Sequence, residues 1–251
     1  MTHPAGMRAS ARIVAVTDGR GGTRLPVLRG QPPLLPRRTG PGGPGPATVH
    51  LVGGAAGPLG GDVLHLEIVV GPGASLRLGS VAATVALPGR GGAPSCLTVD
   101  VTVAEDGDLH WLPEPLIAAR GCRHHTASTV DLAEGARLMW RDELVCGRHR
   151  EPSGDATLST VLRYAGRTLY RSDLAVGPSA PGWAGPAVLG GARVNGTLLV
   201  VDPTWASTGP PPAATLGPTA ARLPLSGPGV LIAATGADLP QVRRQCSVNS
   251  L

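Results

Sequence analysis

The stretch LVGGAAGPLGGDVLHLEIVVGPGASLRLGSVAATVAL, residues 51–87, contains the clearest structural pattern of the chain. Within residues 63–70, Leu, Leu, Ile and Val occupy every second position, and such a period of two is typical of a β-strand with one face on a core. Gly71–Ala74 is a turn signal, after which Leu76 and Leu78 resume the inward phase. A glycine-rich loop that leads into a β-hairpin is therefore predicted.

The glycines that open this stretch could in principle bind phosphate, but their context is wrong for it. A dinucleotide-binding loop lies between a strand and a helix, and the N-terminus of that helix meets the phosphate. Here the glycines precede a strand, and the chain contains no lysine, which a P-loop requires. The pattern indicates a structural loop.

The strand–turn–strand pattern recurs along the chain. Alternating segments at Leu97–Val103, Thr126–Leu132 and Thr157–Tyr164 are each followed by an acidic or glycine-containing turn and a return strand. Units of this length stack on their neighbours, since none can bury its inner face alone. The sequence predicts an all-β fold of stacked or spiralling β-hairpins, in two layers or a helical arrangement. One or two short helices are expected near the C-terminus, where Asp238 is a candidate N-cap followed by Pro240.

The 251 residues show no shift in composition that would separate two units, so one domain over 1–251 is expected. Glycine and proline make up a quarter of the chain, yet 42% of its residues are hydrophobic, enough for a packed core. Residues 1–10 are predicted to be disordered. Residues 31–46, which are rich in proline and glycine, are predicted to form an extended connector without an element of its own.

Charge and composition exclude several classes of partner. The net charge is +5, but the basic residues are scattered arginines that do not alternate with the six aromatic side chains, so no nucleic-acid partner is predicted. No run approaches the 18 apolar residues of a membrane span. Four cysteines in a long chain without a secretory signal indicate reduced thiols and a cytoplasmic location.

Cys122-Arg123-His124-His125 is the one local cluster of candidate metal ligands. Thiolate and imidazole suit zinc, nickel or copper, and a polar loop is the alternative reading. In a strand His124 and His125 point to opposite faces, so only Cys122 and His124 could share an ion. The sequence predicts no tightly bound cofactor, and at most a transient metal contact at these two residues.

The chain carries no complete catalytic set. Glu114, Asp142 and Glu143 supply carboxylates without a defined separation, and no nucleophile elbow or HExxH motif is present. Two alternatives remain open from the residues alone. One is a metal-assisted hydrolase that uses His124, His125 and a carboxylate; the other is a carbohydrate-binding β module, although few aromatic side chains are available for stacking.

Four motifs, in order, resemble those of the urease accessory protein D family. GGAAGPLGGD (53–62), a strand and GPGASLRL (71–78) look like its glycine-rich block, and AAT (82–84), LHWLP (109–113) and RDELVCGRHRE (141–151) look like three further motifs. The similarity covers roughly residues 50–175. The positions that match the family's motifs are Gly60, Gly61, Asp62, Trp111, Pro113, Glu143, Gly147, Arg148 and Glu151.

This resemblance implies an all-β, non-enzymatic maturation factor. Members of the family bind apo-urease, a helical accessory partner of the F type and, through it, a nickel-carrying GTPase of the G type. The implied role is support of nickel insertion into urease, with at most a transient nickel contact. The chain departs from the family's usual residues at Ala55, Ala56, Val85 and His110.

Overall fold

The computed structural model describes residues 6–247, which contain eighteen β-strands and two short α-helices. The strands are β1 (Arg8–Thr17), β2 (Thr23–Gly30), β3 (Leu34–Arg38), β4 (Ala47–Gly53), β5 (Val63–Val70), β6 (Ser75–Ser80), β7 (Thr84–Ala86), β8 (Ser95–Val103), β9 (Asp108–Leu112), β10 (Leu116–Ala118), β11 (Arg123–Leu132), β12 (Arg137–Cys146), β13 (Asp155–Tyr164), β14 (Arg167–Val176), β15 (Val194–Val201), β16 (Ala214–Gly217), β17 (Ala220–Pro224) and β18 (Gly229–Gly236). The helices are α1 (Trp205–Thr208) and α2 (Leu239–Gln245).

The strands form two sheets that face each other. The smaller has seven strands in the order β14-β13-β11-β8-β5-β1-β2, and the larger has eleven. The larger runs β16-β17-β18-β15-β12-β9-β6-β4-β3, with β10 beside β12 and β7 beside β10. The chain passes from one sheet to the other and back, and successive passes lie parallel, as in β5, β8, β11 and β13. This stacked, solenoid-like arrangement confirms the predicted all-β spiral.

The predicted hairpins differ from the structure in their partners. The turn at Gly71–Ala74 joins β5 of the smaller sheet to β6 of the larger sheet, so these two strands do not pair with each other. The turns that follow β8 and β11 also connect the two sheets. Of the predicted pairs, the one around Ala165–Gly166 is a true antiparallel hairpin, β13 with β14. Alternation shows which face of a strand is buried but not which strand lies beside it.

The main core lies between the two sheets. Val99, Val101 and Val103 of β8 are buried on the inner face, as their alternation predicts. From the larger sheet, Trp111 and Trp140 pack into this layer, and their rings stack with centroids 5.2 Å apart. Their burial makes two of the four tryptophans unavailable for sugar stacking.

Two predictions about irregular segments are wrong. Residues 1–10 were expected to be disordered, but β1 begins at Arg8 and pairs with β5 in parallel, while residues 1–5 lie outside the described part of the chain. The connector 31–46 contains β3, which pairs with β4. Because β3 is the edge strand of its sheet, Pro36 can be accommodated without breaking an inner ladder.

The C-terminal helix α2 is short and capped as the sequence predicts. The Asp238 carboxylate accepts a hydrogen bond from the backbone N–H of Gln241 at 2.8 Å, which satisfies one of the free donors of the first turn. Val242 is buried against β15 and β18, so the helix covers part of the outer face of the larger sheet. Over residues 6–247, no helix has both the length and the apolar character that crossing a bilayer would require.

Candidate functional site

A cavity of about 430 Å³ lies between the sheets, and residues from all four sequence motifs border it. The glycine-rich block contributes residues 55–58, the second motif residues 82–84, and the third Trp111 and Pro113. The fourth motif contributes Asp142 and Glu143. Segments that are far apart in the sequence are thus brought to one place, which makes this cavity the candidate functional site.

The wall of the cavity changes from apolar to polar across the smaller sheet. Leu64 of β5 pairs in register with Leu97 of β8, which pairs with Thr126 of β11. Two residues further along the strands, Leu66 of β5 pairs with Val99 of β8, and Val99 pairs with Ser128 of β11. Hydroxyl groups therefore replace aliphatic side chains on the inner face of β11, and a polar solute can be accommodated at that end.

Asp142 connects the two sheets at the polar end of the cavity. Its carboxylate accepts hydrogen bonds from the indole N–H of Trp140 at 2.8 Å and from the hydroxyl of Thr160 on β13 at 3.2 Å. Burial raises the pKa of Asp142 above its ordinary value, and these two hydrogen bonds oppose the rise. The result is a carboxyl group held at a fixed position in the interior.

The glycine-rich loop owes its shape to Asp62. This carboxylate is 3% exposed and accepts two backbone hydrogen bonds, from Met7 and from Leu59, both at 2.8 Å. The preceding residue, Gly61, has a φ of +97°, which side-chain-bearing residues rarely adopt. Gly60, Gly61 and Asp62 therefore have a structural role, since they fix the loop that borders the cavity.

The fourth motif ends in a rigid loop at residues 147–151. Gly147 has a φ of +79°, and a side chain there would collide with the carbonyl oxygen of Glu151. Arg148 donates two hydrogen bonds to the Glu151 carboxylate, at 2.8 and 2.9 Å, and this pairing is the main reason why the pKa of Glu151 is lowered to about 2. Gly147, Arg148 and Glu151 therefore act together to shape this loop.

Glu143 belongs to an ion-pair cluster that the sequence did not reveal. The Arg243 guanidinium on α2 donates to both carboxylate oxygens of Glu143, at distances between 2.6 and 3.1 Å, and to Glu114 at 3.0 Å. Arg141 lies 3.6 Å from Glu143 and donates to the carbonyl of Pro113 at 2.8 Å. The cluster joins the third and fourth motifs to the C-terminal helix. Glu143 and Arg243 are 100 residues apart in the sequence.

Cys122 and His124, the candidate metal ligands, are both buried and both have hydrogen-bond partners. The His124 ring is bonded through Nδ1 to the Ser95 hydroxyl at 2.8 Å and through Nε2 to the Thr126 hydroxyl at 3.0 Å. The Cys122 thiol donates to the carbonyl of Asp155, and burial raises its pKa to about 11. Among the described residues, no three His, Cys, Asp or Glu side chains are grouped closely enough to hold a metal ion.

The buried His124 predicts a specific dependence of stability on pH. Burial, aided by His125, lowers the pKa of His124 to about 4, whereas in the unfolded chain it is about 6.5. Between these values the unfolded state binds the extra proton, so acidification destabilises the fold. His124→Gln should remove this effect: from pH 7 to pH 5, unfolding by denaturant should show about 2 kcal/mol less loss of stability than in the wild type.

His125→Gln is the matched control for this measurement, because His125 is exposed on the outer face of the same strand. It should keep most of the wild type's loss of stability on acidification, because burial, the main cause of the lowered pKa of His124, is unchanged. An identical loss in the His124 variant and the wild type would contradict the assignment.

The structure separates the residues on which the alternative readings depended. His124 faces inward and His125 outward, so the two histidines of the hydrolase hypothesis cannot share an ion.

His110, one of the positions that depart from the family's usual residues, lies on the outer face of β9, where its Nδ1 accepts a hydrogen bond from Arg77 at 2.8 Å. Of the positions that depart from the family's usual residues, Ala55, Ala56 and Val85 border the cavity.

The structure places the chain in the class of all-β proteins with two facing sheets of stacked strands, and four sequence motifs border one cavity between them. The family model described as UreD urease accessory protein matches residues 7–247, and the chain belongs to that family. The resemblance stated from the motifs is therefore confirmed. Membership gives the chain a role in urease maturation and places it among maturation factors, not among enzymes.

Curated relatives are similar over nearly their whole length. The chain is 49% identical over 240 residues to urease accessory protein UreD 3 of Streptomyces griseus, with 94% of this chain and 93% of the relative covered. It is 48% identical over 244 residues to urease accessory protein UreD of Streptomyces coelicolor, with 97% and 95% covered. The UreD protein of Frankia alni is 43% identical over 272 residues, with 95% and 91% covered.

Proposed function

We propose that this protein is a cytoplasmic scaffold for urease maturation that binds apo-urease and the other accessory proteins and supports nickel insertion into the urease active site. Its partners would be apo-urease, a helical accessory protein of the F type and, through it, a nickel-carrying GTPase of the G type. The observation that carries the proposal is the convergence of the four family motifs on one cavity and its surrounding loops.

The cavity wall suits weak, reversible binding of a divalent cation better than tight binding. The Asp142 carboxylate and the His124 ring face the cavity, whose lining residues also include Glu114 and Glu143, and oxygen and imidazole donors suit nickel. Each of these groups already has protein hydrogen-bond partners, so an ion would compete with them and leave again. A contact at the proposed pair Cys122 and His124 would likewise have to displace the bonds to Asp155, Ser95 or Thr126.

Deletion of the gene from a urease-positive host tests the proposed function. We expect urease activity to be lost while the amounts of the urease subunits stay unchanged, and the wild-type gene to restore activity. Co-purification of the tagged protein from a host that expresses the whole urease operon should recover apo-urease and the accessory partners. Full urease activity in the deletion strain would contradict the proposal.

Asp142→Asn tests whether the cavity takes part in nickel delivery. The substitution keeps the shape of the side chain but removes a carboxylate from the cavity wall, so the restored urease activity should fall severalfold while co-purification of the partners stays intact. Asp100→Asn, on the outer face of the same fold, should restore activity like the wild type. Wild-type activation by Asp142→Asn would remove the cavity from the delivery route and leave the scaffold role standing.

A further inference from the structure

The two edges of the fold at which the chain crosses between the sheets are built differently. The short turns 71–74, 104–107 and 133–136 lie at one edge, where Gly73 donates a backbone hydrogen bond to Glu105 at 3.1 Å. The longer connections 81–94, 113–122 and 147–154 lie at the opposite edge, where Ala119 bonds to Ala86 and Gly147 to Ala118. Each edge is thus a stack of loops from successive passes of the chain.

The connections at these two edges differ in charge. The short turns expose the carboxylates of Glu105, Asp106 and Glu134. The long loops and the strand start beside them expose a set of cationic side chains that we call the basic edge: Arg90, Arg120, Arg123, Arg148, His149 and Arg150. Arg120, Arg148, His149 and Arg150 line one concavity, and the Arg123 guanidinium donates to the carbonyl of Gly92 in the loop that carries Arg90.

The carboxylates near the basic edge already bind groups of the protein, whereas, in the described part of the chain, several of its guanidinium groups have no carboxylate partner. Glu151 is paired with Arg148, and Asp155 accepts hydrogen bonds from the backbone N–H and the hydroxyl of Ser179. Within residues 6–247, no carboxylate lies at ion-pair distance from Arg90, Arg120 or Arg150. These three guanidinium groups are free for an external anion.

Hydrogen bonds from Arg193 hold the loop that carries Arg150 in place. The Arg193 guanidinium donates to the carbonyls of Cys146 at 3.1 Å, Arg148 at 2.8 Å and Glu151 at 3.2 Å. Arg150 itself has a φ of +57°, a conformation that a non-glycine residue adopts at a cost of about 1 kcal/mol or more. A surface group that is fixed in advance loses little entropy on binding.

The composition of the basic edge favours a protein partner. Loops 81–94, 113–122 and 147–154 contain no Phe, Tyr or Trp, so they lack the aromatic platform that is typical of proteins that bind single-stranded nucleic acids. Arginine is enriched at protein interfaces, because its planar fork pairs with a carboxylate through two hydrogen bonds. A concavity of about 310 Å³ is large enough for a carboxylate side chain; Arg120, Arg148, His149 and Arg150 line it together with Pro152 and Glu151, and the Glu151 carboxylate is paired with Arg148.

We propose that the basic edge is a docking surface for an acidic segment of a partner protein in the urease assembly. The choice of an assembly member as partner rests on the proposed function; the surface and the acidic character of its partner rest on the charges and geometry above. Association through this edge should weaken with salt, since exposed charges are screened over about 8 Å at physiological ionic strength.

A labelled peptide of twenty glutamates is the first probe, titrated with the full chain and followed by fluorescence anisotropy. Arg120→Glu with Arg150→Glu should weaken its binding by more than about tenfold. The control, Arg20→Glu with Arg167→Glu, carries the same change of charge on exposed residues at the opposite edge and should weaken it less than about twofold. Equal losses in both variants, or no binding by the wild type, would overturn the proposal.

A milder pair of substitutions guards against a folding defect. Arg120→Ala with Arg150→Gly removes both cations without adding negative charge, and glycine suits the backbone conformation at position 150. This variant should melt within a few degrees of the wild type and still lose most of the peptide binding. Tighter binding of a duplex DNA of equal charge than of the glutamate peptide would also overturn the proposal, in favour of a nucleic-acid surface.

The same variants, returned to the deletion host, separate this proposal from the proposed function. If the wild-type gene restores urease activity and the basic-edge variant does not co-purify the assembly, both stand. If the basic-edge variant assembles and activates like the wild type, the docking proposal fails while the scaffold role remains. If the wild-type gene has no effect on urease, the proposed function fails and the peptide measurement alone decides whether the edge binds acidic chains.

Discussion

Asp62→Ala is expected to lower the free energy of unfolding by about 3 kcal/mol. The Asp62 carboxylate is almost fully buried and is the acceptor for two backbone N–H groups, those of Met7 and Leu59. Each buried donor that loses its partner costs about 1–3 kcal/mol. For a chain of this size, a loss of 3 kcal/mol corresponds to a fall in melting temperature of roughly 6–12 °C, which differential scanning calorimetry measures directly.

Two further variants define what Asp62 contributes. Asp62→Asn keeps one of the two acceptor oxygens and should therefore lose about half as much stability as Asp62→Ala. Asp131→Ala removes an exposed carboxylate that pairs with Arg163 at 3.2 Å and should cost about 0.5 kcal/mol or less. A melting temperature of Asp62→Ala equal to that of the wild type would show that the loop does not depend on this side chain for its shape.

The inward faces of the strands could be predicted from the sequence, because a period of two is a local property. Val99, Val101 and Val103 were assigned to the core from their alternation alone and are buried there. The strand partners could not be predicted in this way. A turn such as Gly71–Ala74 is compatible both with a hairpin and with a passage between two facing sheets, and the choice depends on the neighbouring passes of the chain.

The start of β1 and the whole of β3 also could not be predicted from local sequence. The start of β1 carries small and polar residues, and β3 contains Pro36, so neither has a strong local preference for a strand. Both are strands because an existing sheet offers hydrogen-bond partners, β5 for β1 and β4 for β3. Local composition therefore predicted disorder and a connector where long-range pairing makes strands.

The candidate site was partly predictable from motifs. Asp62, Trp111 and Glu143 were singled out by resemblance, and each lies beside the cavity or in a loop that shapes it. Their physical partners were not predictable: Arg243 lies 100 residues from Glu143, and Arg193 lies 46 residues from the Gly147 carbonyl that it binds. Neither arginine belongs to a motif or to a periodic pattern, so only the folded chain identifies them.

Arg243→Ala is expected to destabilise the protein by about 2–4 kcal/mol and to release α2 from the larger sheet. Arg243 makes three hydrogen bonds to Glu143, whose side chain is 1% exposed, and one to Glu114. Removal of one partner leaves a buried carboxylate with incomplete compensation, which costs more than the pair contributes when it is intact. Arg141, at 3.6 Å from Glu143, is too distant to replace the lost hydrogen bonds.

Hydrogen exchange of α2 and denaturant unfolding test this prediction together. Arg244→Ala removes the neighbouring exposed arginine of the same helix and should change the free energy of unfolding by about 0.5 kcal/mol or less. Arg243→Lys keeps the charge but not the two-pronged contact, so it should fall between the two alanine variants. In a double-mutant cycle with Glu143→Gln, a coupling energy of about 1–3 kcal/mol is expected. A coupling energy near zero would mean that the burial of Val242, and not the ion-pair cluster, holds α2 on the larger sheet.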